Sequence, residues 1–428
     1  MSRYLVVLLC LASACGGPGG TADLQSADTV TVFRGARLID GRGLVIAESG
    51  AIVVHEGRIE AVGPAADVAV PDGALIVNTV GSTIIPGLVN AHGHVGDTQG
   101  LESNPAFYTE ENLLRQLRQY ASYGVTTVVS LGGDGEAGVR LRDASTGPLD
   151  RARLRIAGPV ITATTPDAAR ADVDRVAAMN PDFIKIRVDD NLGTTEKMPP
   201  DVWQAVIEQA HSHGLRVAAH IFYLNDAKAL VRAGVDLLAH SVRDREVDDE
   251  LIDLMRVRNV CLVPTLTREL STFVYESEPD FFTDPFFLKG VEASVVEALR
   301  DPERRNRTPS SDISYRYKAA LEFASTNARR LAEAGVGVAF GTDTGPPGRF
   351  QGFFEHLELE LLAEAGLSPA IVLRMATGGA ADCLGLSDTG DLAVGRWADF
   401  VVLAGDPLSD IRASRTIASV WVGGRQID

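Results

Sequence analysis

Hydrophobic and polar positions divide the chain into three stretches. Short alternating runs separated by Gly turns open it: Thr29–Phe33, Ala51–His55 and Arg58–Val62 read as strands. The far end repeats the pattern in Ala398–Leu403 and Ser419–Val422, with Gly423-Gly424 as a hairpin turn. Two β-rich ends around a different middle predict one small β domain, 29–82 with 386–428, built from both termini. The middle, 83–385, changes period. Apolar β-branched runs alternate with stretches at helical spacing. The runs are Thr83–Asn90, Val125–Ser130, Leu154–Ile161, Phe183–Ile186, Leu215–His220, Val235–His240, Val260–Thr265 and Gly337–Gly341. Helices are expected over Glu111–Tyr123, Ala168–Met179, Asp201–His213, Asp226–Ala233, Asp248–Val257, Tyr315–Ala334, Glu355–Ala365 and Pro369–Leu384. Eight strands with intervening helices predict an α/β fold, a (β/α)8 TIM barrel carrying a small β-sandwich; a doubly wound sheet is the alternative.

One interval breaks the rhythm. Seventy residues, Leu266 to Gly335, separate the seventh and eighth runs, and the first part is rich in Phe. It reads equally as a helical excursion with its own small core or as a lid over the barrel mouth.

Composition adds limits. The 428 residues carry a formal charge of −17, with 45% hydrophobic and 23% charged residues. Those proportions exclude wholesale disorder, and the acidic balance argues against nucleic acid as a partner. Met1–Leu11 is too short to span a bilayer. With Arg3 before it and small residues up to Cys15, it has the build of an export signal. Residues 1–14 are therefore expected to be removed, Cys15 to be lipidated, and 15–28 to act as a tether. An ordinary cleaved signal that happens to contain a cysteine is the other reading. The chain is then exported to the periplasm or cell surface and meets the membrane only through its lipid. Of four Cys, Cys261 and Cys383 lie in apolar runs far apart, and two buried free thiols are expected rather than a disulfide.

The candidate chemistry sits where strands end. His92 and His94 face the same way along a strand, and His220, His240 and Asp343 each terminate another. Imidazoles and a carboxylate converging on a barrel mouth are natural ligands of a divalent metal. Lys185 lies inside the apolar run Phe183-Ile-Lys-Ile. A buried ammonium beside cations is costly; carbamylation by CO2 would turn it into a bridging anion. The alternative is a lysine reaching the strand end to pair with Asp189 or Asp190.

With Val54–Gly63, Gly81–His94, Lys185, His220, His240, Asp343, Thr377–Ala381 and Gly390–Asp399 in order, the chain resembles the amidohydrolase superfamily. Within it, the branch of imidazolonepropionase-like and Xaa-Pro dipeptidase-like enzymes is the most similar. The resemblance implies two divalent metal ions, zinc first. His92, His94 and Asp343 would hold the more buried ion, His220 and His240 the other, and N6-carboxylated Lys185 would bridge them. It implies hydrolysis of a C–N bond of a dipeptide or N-acyl amino acid by a metal-bridging hydroxide, with Asp343 as the catalytic proton carrier. A cyclic-amide hydrolase, a deaminase or a tethered non-catalytic binding protein are the alternatives. Tyr223, Arg243 or Arg245, and His356 are candidate contacts to a small-molecule substrate. For the arginines the competing reading is a surface ion pair with Asp244 or Glu246, and for His356 a packing role. His55, His211 and His213 are expected at the surface. A homo-oligomer is compatible with all of this.

Overall fold

The computed structural model describes residues 29–303 and 311–427. The expected export signal (1–14), Cys15 and the whole tether (15–28) lie outside the described residues. No helix among those described is long and apolar enough to cross a membrane.

Strands from both ends of the chain share one sheet. Its six strands run in the order Arg425–Ile427, Ile417–Val422, Phe400–Leu403, Thr83–Pro86, Arg37–Ile39, Val45–Ala47. A four-stranded sheet, Arg58–Pro64, Gly50–His55, Thr31–Arg34, Leu75–Asn78, faces it. Phe33, Leu38, Ile52, Ile84, Phe400 and Trp421 fill the space between. The Phe33 ring meets Phe400 and Trp421 edge-on at 4.8 and 4.7 Å, a favoured aromatic arrangement.

The expected strand Thr83–Asn90 is two strands. Thr83–Pro86 belongs to the six-stranded sheet and Leu88–Gly93 to a parallel one. The break falls at Gly87, where a Cβ would lie 2.1 Å from the Thr126 hydroxyl. Only a residue without a side chain lets the chain pass from one layer to the next there.

Seven of the expected inner strands form two parallel sheets. One contains Leu88–Gly93, Val125–Ser130 and Arg153–Ile156. The other contains Phe183–Arg187, Arg216–His220, Leu237–Ala239 and Cys261–Val263. Between the sheets, and around the expected eighth strand, pairing is by isolated parallel bridges: Ile161 with Ile186, Leu262 with Val338, and Gly93 with Thr344. The helices between strands bury one face each. In Glu110–Ser122, capped by the Thr109 side chain, that face is Leu113, Leu117, Tyr120 and Ala121. A short helix not expected from the pattern, Glu136–Asp143, follows the second inner strand. The expected helix Pro369–Leu384 is interrupted at Thr377, which is non-helical, and the Gly378 N–H donates to the Gly41 carbonyl at 3.0 Å; a Cβ at Gly378 would lie 2.4 Å from that oxygen.

The long interval folds as an excursion with its own core. Phe282, Phe287, Val296 and Leu299 pack against Tyr123, Phe353 and Phe354. It also touches the loop after Asp343: the Tyr275 hydroxyl donates to the Gly348 carbonyl at 2.6 Å. The expectation for the cysteines is corrected. Cys261 and Cys383 form a disulfide, with Cα atoms 5.9 Å apart. Gly337 makes room for it, since a Cβ there would lie 2.5 Å from the Cys261 sulfur.

Candidate metal centre

The inner strands bring the predicted ligands together. Asp343 Oδ1 lies 2.8 Å from His94 Nε2 and 3.5 Å from His92 Nε2. These three residues offer ligand atoms within 4.8 Å of one another. Lys185 Nζ is 3.4 Å from His92 Nε2. The His240 ring lies between those of His92 and His220, with centroids 4.7 and 4.2 Å away. All six predicted ligands therefore meet at one end of the parallel strands. His240 and Asp343 both have positive φ, +89° and +57°. Non-glycine residues pay for that conformation, and it is found most often where function requires it.

Hydrogen bonds fix which nitrogen of three imidazoles carries a proton. His94 Nδ1 donates to the Gly132 carbonyl at 3.1 Å. His220 Nε2 donates to the Asp189 carboxylate at 2.9 Å. The Thr265 hydroxyl gives its hydrogen to the Pro264 carbonyl at 2.7 Å. It therefore accepts from His240 Nδ1, 2.6 Å away. In the neutral rings His220 Nδ1 and His240 Nε2 are left with lone pairs, while His94 Nε2 donates to Asp343 Oδ1 at 2.8 Å and becomes a ligand atom on losing that proton. One anchored nitrogen and one free nitrogen is the arrangement that ligand histidines adopt. His92 differs, since its Nδ1 is buried without a partner among the described residues.

The charge states suit ligation. Burial, joined by neighbouring cations and imidazoles, holds His92 and His240 well below the usual imidazole range. Burial also lowers His220, to about 4. Burial draws the Lys185 ammonium down to about 7, against the pull of Asp343 and Asp189. For Asp343, burial opposes ionisation, yet Arg349 and the two histidines hold it well below the carboxylate range. For His94, burial is outweighed by Asp343, which raises it. Three imidazoles held neutral by burial, a fourth hydrogen-bonded to an ionised carboxylate, and an amine that readily loses its proton form an N/O donor set that fits a divalent cation such as zinc.

The substrate candidates fare unevenly. The Tyr223 hydroxyl donates to Asp190 at 2.8 Å, with the Lys197 ammonium 3.9 Å over its ring. Arg243 is fully buried and is neither a surface pair nor an open clamp. It donates to Glu269 and to the Ile221 carbonyl, and lies 3.6 Å from Asp189. It therefore braces the carboxylate that orients His220. Arg245 is the surface residue of the two and pairs with Asp244 at 2.8 Å. His356 stands apart from the cluster. It is buried, with one nitrogen 2.9 Å from the Ser414 hydroxyl and the other donating to the Tyr123 carbonyl at 2.9 Å. Both nitrogens are committed, so it packs the helix rather than meeting substrate. His55, His211 and His213 are paired with Glu60, Asp236 and Asp174 near the surface.

Two contributors carried no signal in the sequence. Arg349 pairs with Asp343 Oδ2 at 2.5 Å and donates from Nε to the Ser271 hydroxyl at 3.2 Å. This links the excursion to the site. Thr265, in a left-handed turn, anchors His240.

A parallel-strand frame that gathers four histidines, an aspartate and a buried lysine at its strand ends is a candidate metal centre, with His92, His94 and Asp343 its tightest group. The chain belongs to the amidohydrolase family, whose model matches residues 83–427. Among characterised relatives, the imidazolonepropionase of Deinococcus radiodurans is 26% identical over 419 residues, 92% of this chain and 95% of its own length. The ochratoxinase of Aspergillus niger is 26% identical over 243 residues, 55% of this chain. That match spans only 43% of the ochratoxinase. Among solved structures, a putative prolidase from Bifidobacterium longum superposes with a TM-score of 0.74 at 27% identity, covering 93% of this chain and 94% of that one. A Xaa-Pro dipeptidase with bound methionine in its active site gives 0.75 at 22% identity, covering 94% and 100%; it shares the fold.

Proposed function

We propose that this chain hydrolyses a C–N bond of a dipeptide or N-acyl amino acid, using two divalent cations, zinc first. The observation that carries the reading is the set of anchored imidazoles whose free nitrogens accompany Asp343 and Lys185 at one set of strand ends. The two parallel sheets, with single bridges at their seams, support an eight-stranded barrel as the frame.

His92, His94 and Asp343 would hold one cation, and His220 and His240 the other. Lys185 would join them as a carbamate. Carbamylation needs the neutral amine, and an ammonium drawn down to about 7 by burial supplies it at physiological pH. When bound, the cations supply an acidified water and polarise the scissile carbonyl. Asp343 would receive the water's proton on its carboxylate and pass it to the leaving nitrogen. Arg349, on Oδ2, holds that carboxylate ionised and oriented. Asp189, backed by Arg243, keeps the proton of His220 on Nε2. The near-complete match to an imidazolonepropionase favours a cyclic amide as the second substrate class.

Purified protein should contain two equivalents of divalent metal, and the zinc-reconstituted enzyme should cut members of a dipeptide and N-acyl amino acid library. Lys185→Ala should abolish turnover. One equivalent or none after gentle purification, or full turnover by Lys185→Ala, overturns the reading. We also propose export with a lipid on Cys15. The disulfide supports an oxidising compartment, and Cys15→Ser should move the protein out of the membrane fraction.

A further inference from the structure

The helix Phe353–Glu364 turns two glutamates inward. Glu355 and Glu358 are fully buried, which is unfavourable for carboxylates unless every lone pair is used. Glu355 Oε1 accepts three hydrogen bonds, from Asn90 Nδ2 at 2.8 Å, the Thr342 hydroxyl at 2.7 Å and the Thr344 hydroxyl at 2.6 Å. Its Oε2 accepts the Gly352 N–H at 2.5 Å. Asn90 Oδ1 in turn accepts the His92 N–H at 2.9 Å. Thr342 and Thr344 flank Asp343, the residue held at positive φ. A single carboxylate oxygen thus ties the strand of His92 and His94 to the segment of Asp343.

Glu358 lies one turn further on. It accepts the N–H groups of Leu266 and Thr267, at 2.8 and 2.7 Å, and the Thr267 hydroxyl at 2.8 Å. Those N–H groups open the short helix Leu266–Leu270 and have no partner within it. The residue before them is Thr265, whose hydroxyl anchors His240.

We propose that Glu355 and Glu358 are positioning residues that set the two ligand groups from one helix: Glu355 the His92, His94 and Asp343 group, Glu358 the His240 side. This rests on the two-cation reading above. Groups that orient metal ligands from outside are commonly worth about 10- to 100-fold in metal affinity. A helix that is merely part of the core would, when disturbed, weaken both halves alike. A positioning helix fails one half at a time.

The test is cobalt binding to metal-stripped full-length protein, followed by equilibrium dialysis and visible absorption. In Glu355→Gln one of two equivalents should bind about tenfold or more weakly with its absorption band altered, while the other is unchanged. In Glu358→Gln the opposite equivalent should weaken. Should either glutamine variant fold poorly, Thr342→Val, which removes one donor to Glu355, should reproduce the first effect, and Thr342→Ser should not. Wild-type affinity and spectrum in the variants, or equal loss of both equivalents in each, overturns the positioning role. A wild type that takes up no cobalt overturns the two-cation reading and this proposal with it, so the two failures are told apart by the protein in which they appear.

Discussion

Removing the Cys261–Cys383 bridge tests the connection between fold and compartment. The bridge joins the strand Cys261–Val263 to the helix Gly378–Leu384 across 122 residues. In the chain-entropy account, a closed loop of that length restricts the unfolded chain by about 16 cal/mol/K, or about 5 kcal/mol at 25 °C. That is an upper value, because residual structure in the unfolded chain reduces the entropy the bridge removes. At about 2.1 cal/mol/K of unfolding entropy per residue, a chain of this size gives up about 1 °C of Tm per kcal/mol. Cys383→Ser should therefore melt up to about 6 °C below the oxidised wild type. Calorimetry of the wild type, with and without reductant, and of the variant with reductant, separates the bridge from the side-chain change. Reduced wild type should match the variant, and the variant should not respond to reductant. A non-reducing digest of the oxidised protein should contain one peptide pair linked through these cysteines. Absence of that pair, or an unchanged Tm on reduction, refutes the reasoning.

Two further outcomes follow from buried polar groups. Burial lowers His356 from 6.5 to about 3, so the unfolded chain takes up its proton first as pH falls. The stability it contributes is complete above pH 6.5 and is lost toward pH 3, at up to about 1.4 kcal/mol per pH unit. Urea midpoints of His356→Gln should show a flatter slope than wild type across that window, with kcat/KM unchanged; an unaltered slope contradicts the assignment. Arg243→Met strips Glu269 and Asp189 of a fully buried cation and should cost about 3 kcal/mol or more by urea unfolding. A loss within error of zero would mean that Arg268 alone satisfies Glu269.

The candidate histidines and Asp343 were legible because each stands where an apolar run ends, a place that sequence can mark, and Lys185 because a charge inside such a run is conspicuous. Resemblance then assigned roles that spacing alone left open. What surrounds the ligands was not legible. In Phe353-Phe-Glu-His-Leu-Glu-Leu-Glu360 the acids look like a solvated face. They are buried because threonine hydroxyls and helix N–H groups, distant in sequence, meet them. Arg243 resembled a surface cation for the same reason, its partner Glu269 lying 26 residues on. Cys261 and Cys383 gave no spacing signal, since what brings them together is Gly337, an absent side chain. The division of Thr83–Gly93 into two strands likewise rests on the room Gly87 leaves for Thr126.

The six-stranded sheet has a consequence for how the chain can be made. Its middle pair, Thr83–Pro86 and Phe400–Leu403, joins residues more than 300 positions apart, and Arg37 reaches Asp406 at 2.7 Å. Thr83–Pro86 pairs early with Arg37–Ile39 on one edge, but its other edge has no partner until Phe400–Leu403 is made. Until then that edge of Thr83–Pro86, and the apolar face that Phe400 and Trp421 later cover, stays open to other chains. The candidate metal ligands begin at His92, within ten residues of that unfinished edge. The order of synthesis thus makes the strands Phe400–Leu403 and Ile417–Val422 the fastener of this sheet, and deleting them should be felt at Thr83–Pro86.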